Sequence, residues 1–237
     1  MKETILGVTV NTQGTEELIR DMWRRFETKE KALVVAINPE KLMKAKDDPA
    51  LKSLLNNAEY QIPDGIGVIL ASKLNKGVIK ERVTGIDTMD RILKEAAITK
   101  KSVFFYGAKP GVADQAAAKI LEKYPDLQIA GVQHGYEKDN EKIVAQINNA
   151  KADILFVAMG SPAQENWINT NRDRLHPIIY QGVGGSFDVY AGNIKRAPDF
   201  FLKTNLEWFY RLLLEPKRIT RQMALPLFLL ETLKNKK

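Results

Sequence analysis

The chain has 237 residues, 44% of them hydrophobic, which suits one large α/β domain or one domain with an appendage. It has no cysteine, which excludes disulfides, thiol catalysis and thiolate metal sites, and its two histidines, His134 and His176, argue against a histidine-rich metal site. The net charge of +7 is concentrated: residues 195–237 hold ten Lys/Arg against four Asp/Glu, whereas the first 194 hold 26 against 25.

Ile5 to Val10 reads as a first strand or hairpin arm. Thr15 is expected to cap a helix with Leu18, Ile19, Met22 and Phe26 at helical spacing. Lys31 to Ile37 is a buried strand that ends in Asn38-Pro39-Glu40, and proline at a first helical position marks a helix start. Leu42, Met43, Leu51, Leu54 and Leu55 continue at helical spacing, interrupted at Pro49. Tyr60 to Pro63 is a strand that delivers Asp64-Gly65-Ile66-Gly67-Val68.

In an open α/β sheet, ligands bind beyond the carboxyl ends of the strands. Asp64 falls at such an end, and Gly65 beside it lets a ligand approach closely. Asp64 is therefore a candidate general base. The same residues also fit Asp64 as a plain helix N-cap.

Lys76 to Ile86 is a polar connector holding Glu81-Arg82-Val83-Thr84-Gly85, and Asp87 is expected to open a helix with Met89, Ile92, Leu93 and Ala96 inward. Strands then alternate with helices. Ser102–Tyr106 precedes a helix over Val112–Tyr124, and Leu127–Val132 one over Asp139–Ala150. Ile154–Met159 precedes a helix over Pro162–Asp173, and Ile178–Val183 is the last strand. This alternation demands crossovers, and hence a mostly parallel sheet with helices on both faces.

Each later strand is expected to end in a glycine-bearing loop: Gly107 to Gly111, Gly131 to Gly135-Tyr136, Gly160-Ser161-Pro162 and Gly182 to Ser186. Such turns let backbone N–H groups and helix N-termini approach phosphate. No G-x-G-x-x-G or Walker A motif occurs, which favours a nucleotide sugar over a dinucleotide or ATP. Arg82 could pair with a diphosphate. Ser161 and Gln164 stand at capping-box spacing, and Asp188 could hold ribose or sugar hydroxyls or cap a helix. No Asp-x-Asp occurs, so no metal-binding acidic pair serves a leaving diphosphate, and arginines and helix N-termini must do that work.

From Lys195 the character changes. Phe200, Phe201, Leu206, Phe209, Tyr210 and Leu213 form an apolar helical stripe that Pro216 breaks, and a second piece ends in Leu225 to Leu230. Basic residues among aromatics and leucines suit a helix in a membrane interface, or one packed on the domain or a partner subunit. The run Ala224–Leu230 is far shorter than the roughly 20 residues of a bilayer span, and Met1 to Ile5 has no signal-peptide core. A cytoplasmic chain is expected.

Several motifs follow one another: Ile37-Asn38-Pro39-Glu40, Pro63-Asp64-Gly65-Ile66-Gly67, Glu81-Arg82-Val83-Thr84-Gly85 and Gly135-Tyr136. Then come Gly160-Ser161-Pro162-Ala163-Gln164-Glu165-Asn166-Trp167, Gly182-Val183-Gly184-Gly185-Ser186-Phe187-Asp188 and Arg196-Ala197-Pro198. Leu206-Glu207-Trp208-Phe209-Tyr210-Arg211 and Glu215-Pro216-Lys217-Arg218 close the series. Over nearly its whole length the chain resembles the WecG/TagA/CpsF glycosyltransferase family.

The resemblance implies a Rossmann-like core over residues 1–194 and a basic helical appendage over 195–237. It implies an inverting, metal-independent and cofactor-free transfer of N-acetylmannosamine from UDP to N-acetylglucosamine-diphospho-undecaprenol, in wall teichoic acid linkage-unit synthesis. Asp64 would be the base, and Asn38, Arg82 and Gln164 match pocket positions. Tyr136 and Asp188 match positions for the nucleotide sugar, and Arg211, Arg218 and Arg221 match arginines that reach the diphosphates. The appendage would dock on the inner face of the bacterial membrane; a homo-oligomer is left open. One departure stands out: Ala36 occupies a place where the family often has threonine, which opens the choice of donor to a UDP-linked uronic acid or another UDP-hexose. Two other readings are an NAD-dependent sugar oxidoreductase, which the missing dinucleotide motif disfavours, and a nucleic-acid-binding protein using the basic tail, which no stacking aromatics support.

Overall fold

The computed structural model describes residues 1–204, 206–214 and 224–235. A hairpin of β1 (Lys2–Ile5) and β2 (Val8–Asn11) leads through α1 (Thr15–Thr28) into a six-stranded parallel sheet. Its strands are β3 (Ala32–Ile37), β4 (Tyr60–Pro63), β5 (Ser102–Gly107), β6 (Gln128–Gln133), β7 (Ile154–Ala158) and β8 (Ile179–Gly182), in the spatial order β4-β3-β8-β7-β5-β6. Between them lie α2 (Pro39–Asp47), α3 (Pro49–Asn56), α4 (Ile66–Leu74), α5 (Gly85–Thr99), α6 (Val112–Lys123), α7 (Asn140–Ala150) and α8 (Ala163–Asn171). After β8 come α9 (Ser186–Tyr190), α10 (Asp199–Lys203), α11 (Glu207–Leu214) and α12 (Ala224–Lys234).

Side chains alternate across a strand, so a strand buried on both faces feeds two cores. On β3, Leu33, Val35 and Ile37 join one core while Ala32 and Val34 join the other. On β5, Phe104 and Tyr106 face the first core, and Val103 and Phe105 the second. Helices α2, α3, α4, α7, α8 and α12 cover the first face; α1, α5, α6 and α9 cover the second. The outer edge of β4 is closed by the hairpin, where Asn11 Oδ1 accepts from Gln61 N at 2.8 Å. An edge strand satisfied in this way is no template for pairing with another chain.

Several local expectations need correction. Thr15 does not cap α1: the cap position is Gly14, with no side-chain cap. The helix expected at Asp87 starts at Gly85, because the Thr84 side chain accepts from Asp87 N and caps it. Pro49 divides two helices rather than interrupting one, with Asp48 capping α3 by accepting from Leu51 N at 2.9 Å. The helix expected to run to Asp173 ends at Asn171, and a 3-10 turn follows over Arg172–Arg174. Gly131, read both as part of the Leu127–Val132 strand and as the start of the loop after it, lies inside β6 under the Phe104 ring, where a Cβ would come within 2.5 Å.

The C-terminal apolar residues divide. Phe228 and Thr232 of α12 are fully buried, Phe228 in the core that α2 and α4 share. Phe200, Leu213, Leu227 and Leu230 are largely exposed. Pro216, expected to break the stripe, lies outside the described residues. No helix among the described residues is long and apolar enough to cross a membrane.

Candidate active site

Because β4, β3 and β8 are adjacent and parallel, their carboxyl ends open side by side. There a cleft of about 460 Å³ is lined by residues that follow all three strands, together with Arg82, Gln164, Glu207, Trp208 and Leu225. The first turns of α2, α4, α5 and α8 supply Pro39, Ile66, Gly85 and Gln164 to its wall. Each helix start carries roughly half a positive charge, and Lys41, Arg82 and Lys195 also line the cleft, so it is suited to an anion.

Asp64 stands on this wall. Its backbone N–H donates to Ile37 O at 2.8 Å, which extends the β3–β4 ladder one residue past the strand. The chain then turns at Gly65, whose φ of 93° suits glycine, and it is Gly65 that occupies the cap position of α4. Asp64 is therefore not the helix cap; it lines the cleft just beyond the end of β4.

Asn38 caps α2 by accepting from Lys41 N at 2.9 Å, so the end of its amide left for a ligand is the NH2 donor. Arg82 is carried past β4, with the next residue's N–H bonded to Pro63 O. Its guanidinium Nη2 lies 2.6 Å from Glu207 Oε2, and both side chains are mostly buried. Helix α11 thus reaches the cleft, with Trp208 beside Glu207 on the wall.

Gln164 is almost fully buried in the first turn of α8. The capping-box expectation is corrected: no side chain caps this helix. Gln164 Oε1 instead accepts from Gly184 N at 3.0 Å, and its Nε2 donates to Glu165 Oε1 at 3.1 Å.

Two expected site residues are not brought to the cleft wall. Tyr136 is exposed in the loop after β6, at the far edge of the sheet, where its N–H meets His134 Nδ1. Asp188 lies on α9, where Ser186 and Val189 line the cleft and Asp188 does not, and its carbonyl accepts from Ile194 N. The backbone of Arg211 belongs to α11, and Arg218 and Arg221 lie outside the described residues. Ala36 lines the cleft. Among the described residues no three His, Cys, Asp or Glu side chains are grouped to hold a metal ion.

Lys41, Glu207, Trp208 and Leu225 also line the cleft but were not named as site residues from the sequence, although Glu207 and Trp208 stand in one of its motifs. Lys41 had a local signal, as the third residue of a helix that starts beyond a strand end. The others lie on C-terminal helices whose return to β3 and β4 no local pattern encodes.

The family model described as "Glycosyl transferase WecG/TagA/CpsF family" matches residues 3–237. The chain is 39% identical over 206 residues to the N-acetylglucosaminyldiphosphoundecaprenol N-acetyl-beta-D-mannosaminyltransferase of Bacillus subtilis (strain 168), covering 87% of this chain and 80% of that protein. It is 36% identical over 239 residues to the Staphylococcus aureus (strain NCTC 8325 / PS 47) protein of the same name, covering 100% of this chain and 94% of that one. The match runs the length of the chain and includes every cleft residue named above, and so the chain belongs to the WecG/TagA/CpsF glycosyl transferase family.

Proposed function

We propose that the protein transfers N-acetylmannosamine from a UDP-linked donor to the N-acetylglucosamine of N-acetylglucosaminyldiphosphoundecaprenol, an early step in building the wall teichoic acid linkage unit. The observation that carries this reading is Asp64, placed just beyond the carboxyl end of β4 on the wall of a cleft that the first turns of four helices also line. The names of the relatives supply the sugar and the acceptor.

Asp64 takes the proton of the acceptor hydroxyl. The hydroxyl oxygen attacks the anomeric carbon, whose bond to the donor's diphosphate oxygen breaks, and UDP departs with the electron pair. A single displacement of this kind inverts the anomeric centre. The N-termini of α2, α4, α5 and α8, with Arg82, stabilise the charge that gathers on the leaving diphosphate. Tyr136 and Asp188 lie outside the cleft wall, and their role here is to meet the nucleotide end of the donor. Arg211, Arg218 and Arg221 meet a diphosphate. The basic C-terminal segment, with Phe200, Leu213, Leu227 and Leu230 exposed on its helices, rests on the anionic inner face of the membrane that holds the acceptor.

The test is UDP release from UDP-N-acetylmannosamine with a soluble N-acetylglucosamine-diphosphate-lipid analogue. Turnover is expected, and Asp64→Asn should lower kcat by about a hundredfold to ten-thousandfold, the usual worth of a positioned base. Turnover with another UDP-sugar alone would move the assignment to that donor and to Ala36. Failure of every UDP-sugar with polyprenyl-diphosphate acceptors would overturn the proposal.

A further inference from the structure

Under the cleft wall lies a buried ion pair that the reaction as described does not use. Glu165 is fully buried, and its Oε1 accepts from Lys41 Nζ at 2.7 Å and from Gln164 Nε2 at 3.1 Å. Its other oxygen, Oε2, has no hydrogen-bond partner among the described residues. The charge is neutralised but the carboxylate is not fully solvated by protein. Such an arrangement is costly compared with an apolar filling of the same space. Something other than packing must account for a carboxylate here.

The geometry points to Glu165 as a positioning residue: with Lys41 as its counterion, it fixes the orientation of the Gln164 amide and thereby the Gly182–Ser186 wall of the cleft. An ionised carboxylate only accepts hydrogen bonds, so it compels Gln164 to turn its NH2 inward. The carbonyl end is then left for Gly184 N–H, which only donates, and the two bonds agree on one orientation of the amide. The strand end passes close to this side chain: a Cβ on Gly182 would lie 2.5 Å from Gln164 Nε2, so any larger residue there would displace the amide. Lys41 completes the lock from the first turn of α2, where Asn38 and Pro39 beside it also line the cleft. One buried carboxylate thus ties the segments after β3, β7 and β8 into a fixed mutual arrangement.

A glutamine at position 165 would keep the size but could donate to Gln164 Oε1. The Gln164 amide could then reverse, leaving Gly184 N–H without its acceptor. The consequence for binding rests on the transferase reading, in which this wall faces the donor; the lock itself does not.

The experiment reads both. Amide exchange at Gly184 is followed by NMR, and the dissociation constant for UDP by calorimetry. The proteins compared are wild type, Glu165→Gln, and Lys41→Met/Glu165→Gln, the last removing the buried charges together so that the fold survives if the single variant fails. In both variants Gly184 exchange should accelerate, and UDP binding weaken, each on the order of tenfold, as for the loss of one hydrogen bond next to a charge. A merely structural ion pair predicts that the double variant regains wild-type Gly184 exchange along with thermal stability, and that result would overturn the assignment. Wild-type protein that binds no UDP would count against the transferase reading, while Gly184 exchange would still decide the lock.

Discussion

Helix α12 lies at the end of the chain yet forms part of both the core and the cleft, and replacing Phe228 by alanine separates these contributions. Phe228 is completely buried among residues of α2 and α4. A buried Phe→Ala change costs about 3–5 kcal/mol, part of it from the cavity left behind. The neighbouring contacts are fewer: Thr232 is buried, Leu229 packs on the same core, and the partly exposed Lys46 meets Glu231 at 2.7 Å near the surface. A surface pair of this kind adds little. Most of the docking energy of α12 therefore resides in one ring, and the helix should detach before the sheet yields. A loss of about 3 kcal/mol corresponds to roughly a hundredfold rise in the open population. Native-state hydrogen exchange should show that rise in peptides over 224–235, with β5 and β7 nearly unchanged, as expected for a cooperative unit of low stability. Leu225 leaves the cleft wall with the helix, so KM for the sugar donor or acceptor should rise too. Unchanged protection of 224–235 would refute the docking argument. Equal acceleration in β5 would refute the separability of the helix.

Two other perturbations test the fold and its charges. Gly107→Ala combines a φ of 120° with a Cβ only 2.3 Å from the backbone carbonyl of Ala158, which cannot swing away; it should cost more than about 2 kcal/mol in urea unfolding, and an unchanged midpoint would show the strand end to be looser than described. Asp90 is partly buried, which raises its pKa, but hydrogen bonds from Lys123 and Tyr190 outweigh this and hold it below the ordinary value. The folded pKa lies under the unfolded one of about 3.9, so the contribution is complete above that value and disappears as pH falls through the folded pKa. The stability difference between wild type and Asp90→Asn should be constant near neutrality and shrink below about pH 4. A difference that stays level down to pH 3 would contradict the assignment.

What could be read from the sequence was whatever a short stretch determines by itself. The apolar run of β3 followed by Asn38-Pro39 specifies a buried strand and a helix start, and the structure has both, with Asn38 as the cap. Asp64-Gly65 locates a carboxylate at a strand end for the same reason. Which of two local roles Asp64 takes was not legible, because it depends on the φ of Gly65, and this the whole β4–α4 junction sets. Gly131 was assigned to both a strand and the loop after it, because a glycine inside a strand looks like one in a loop until the Phe104 ring above it is seen. The pairings of Lys41 with Glu165 and of Arg82 with Glu207 span 124 and 125 residues, and no spacing rule reaches that far. Such contacts follow from strand order, and strand order follows from how the crossovers pack rather than from any one segment.

On the docking reading proposed above, the C-terminal helices set the position of the cleft relative to the membrane. Along α12, Leu225 faces the cleft, Phe228 and Thr232 face the core, and Leu227, Leu230 and Leu233 are exposed. Leu225, Phe228 and Thr232 are three and four residues apart and share a side of the helix, so the exposed leucines are turned from it. On the docking reading, the apolar stripe that meets the lipid and the residue that meets the substrate belong to a single helix, about 10 Å across. A lipid-linked acceptor carries its diphosphate at the membrane surface, close to its anchor. A catalytic cleft far from the docking face would require the acceptor to be lifted out of the bilayer, at about 0.8 kcal/mol for each methylene exposed to water. A cleft one helix away needs no such extraction. The helix that reads as an appendage from its composition is thus also a wall of the site, and on the docking reading its position against α2 and α4 is what brings the reacting sugar and the lipid anchor within reach of one another.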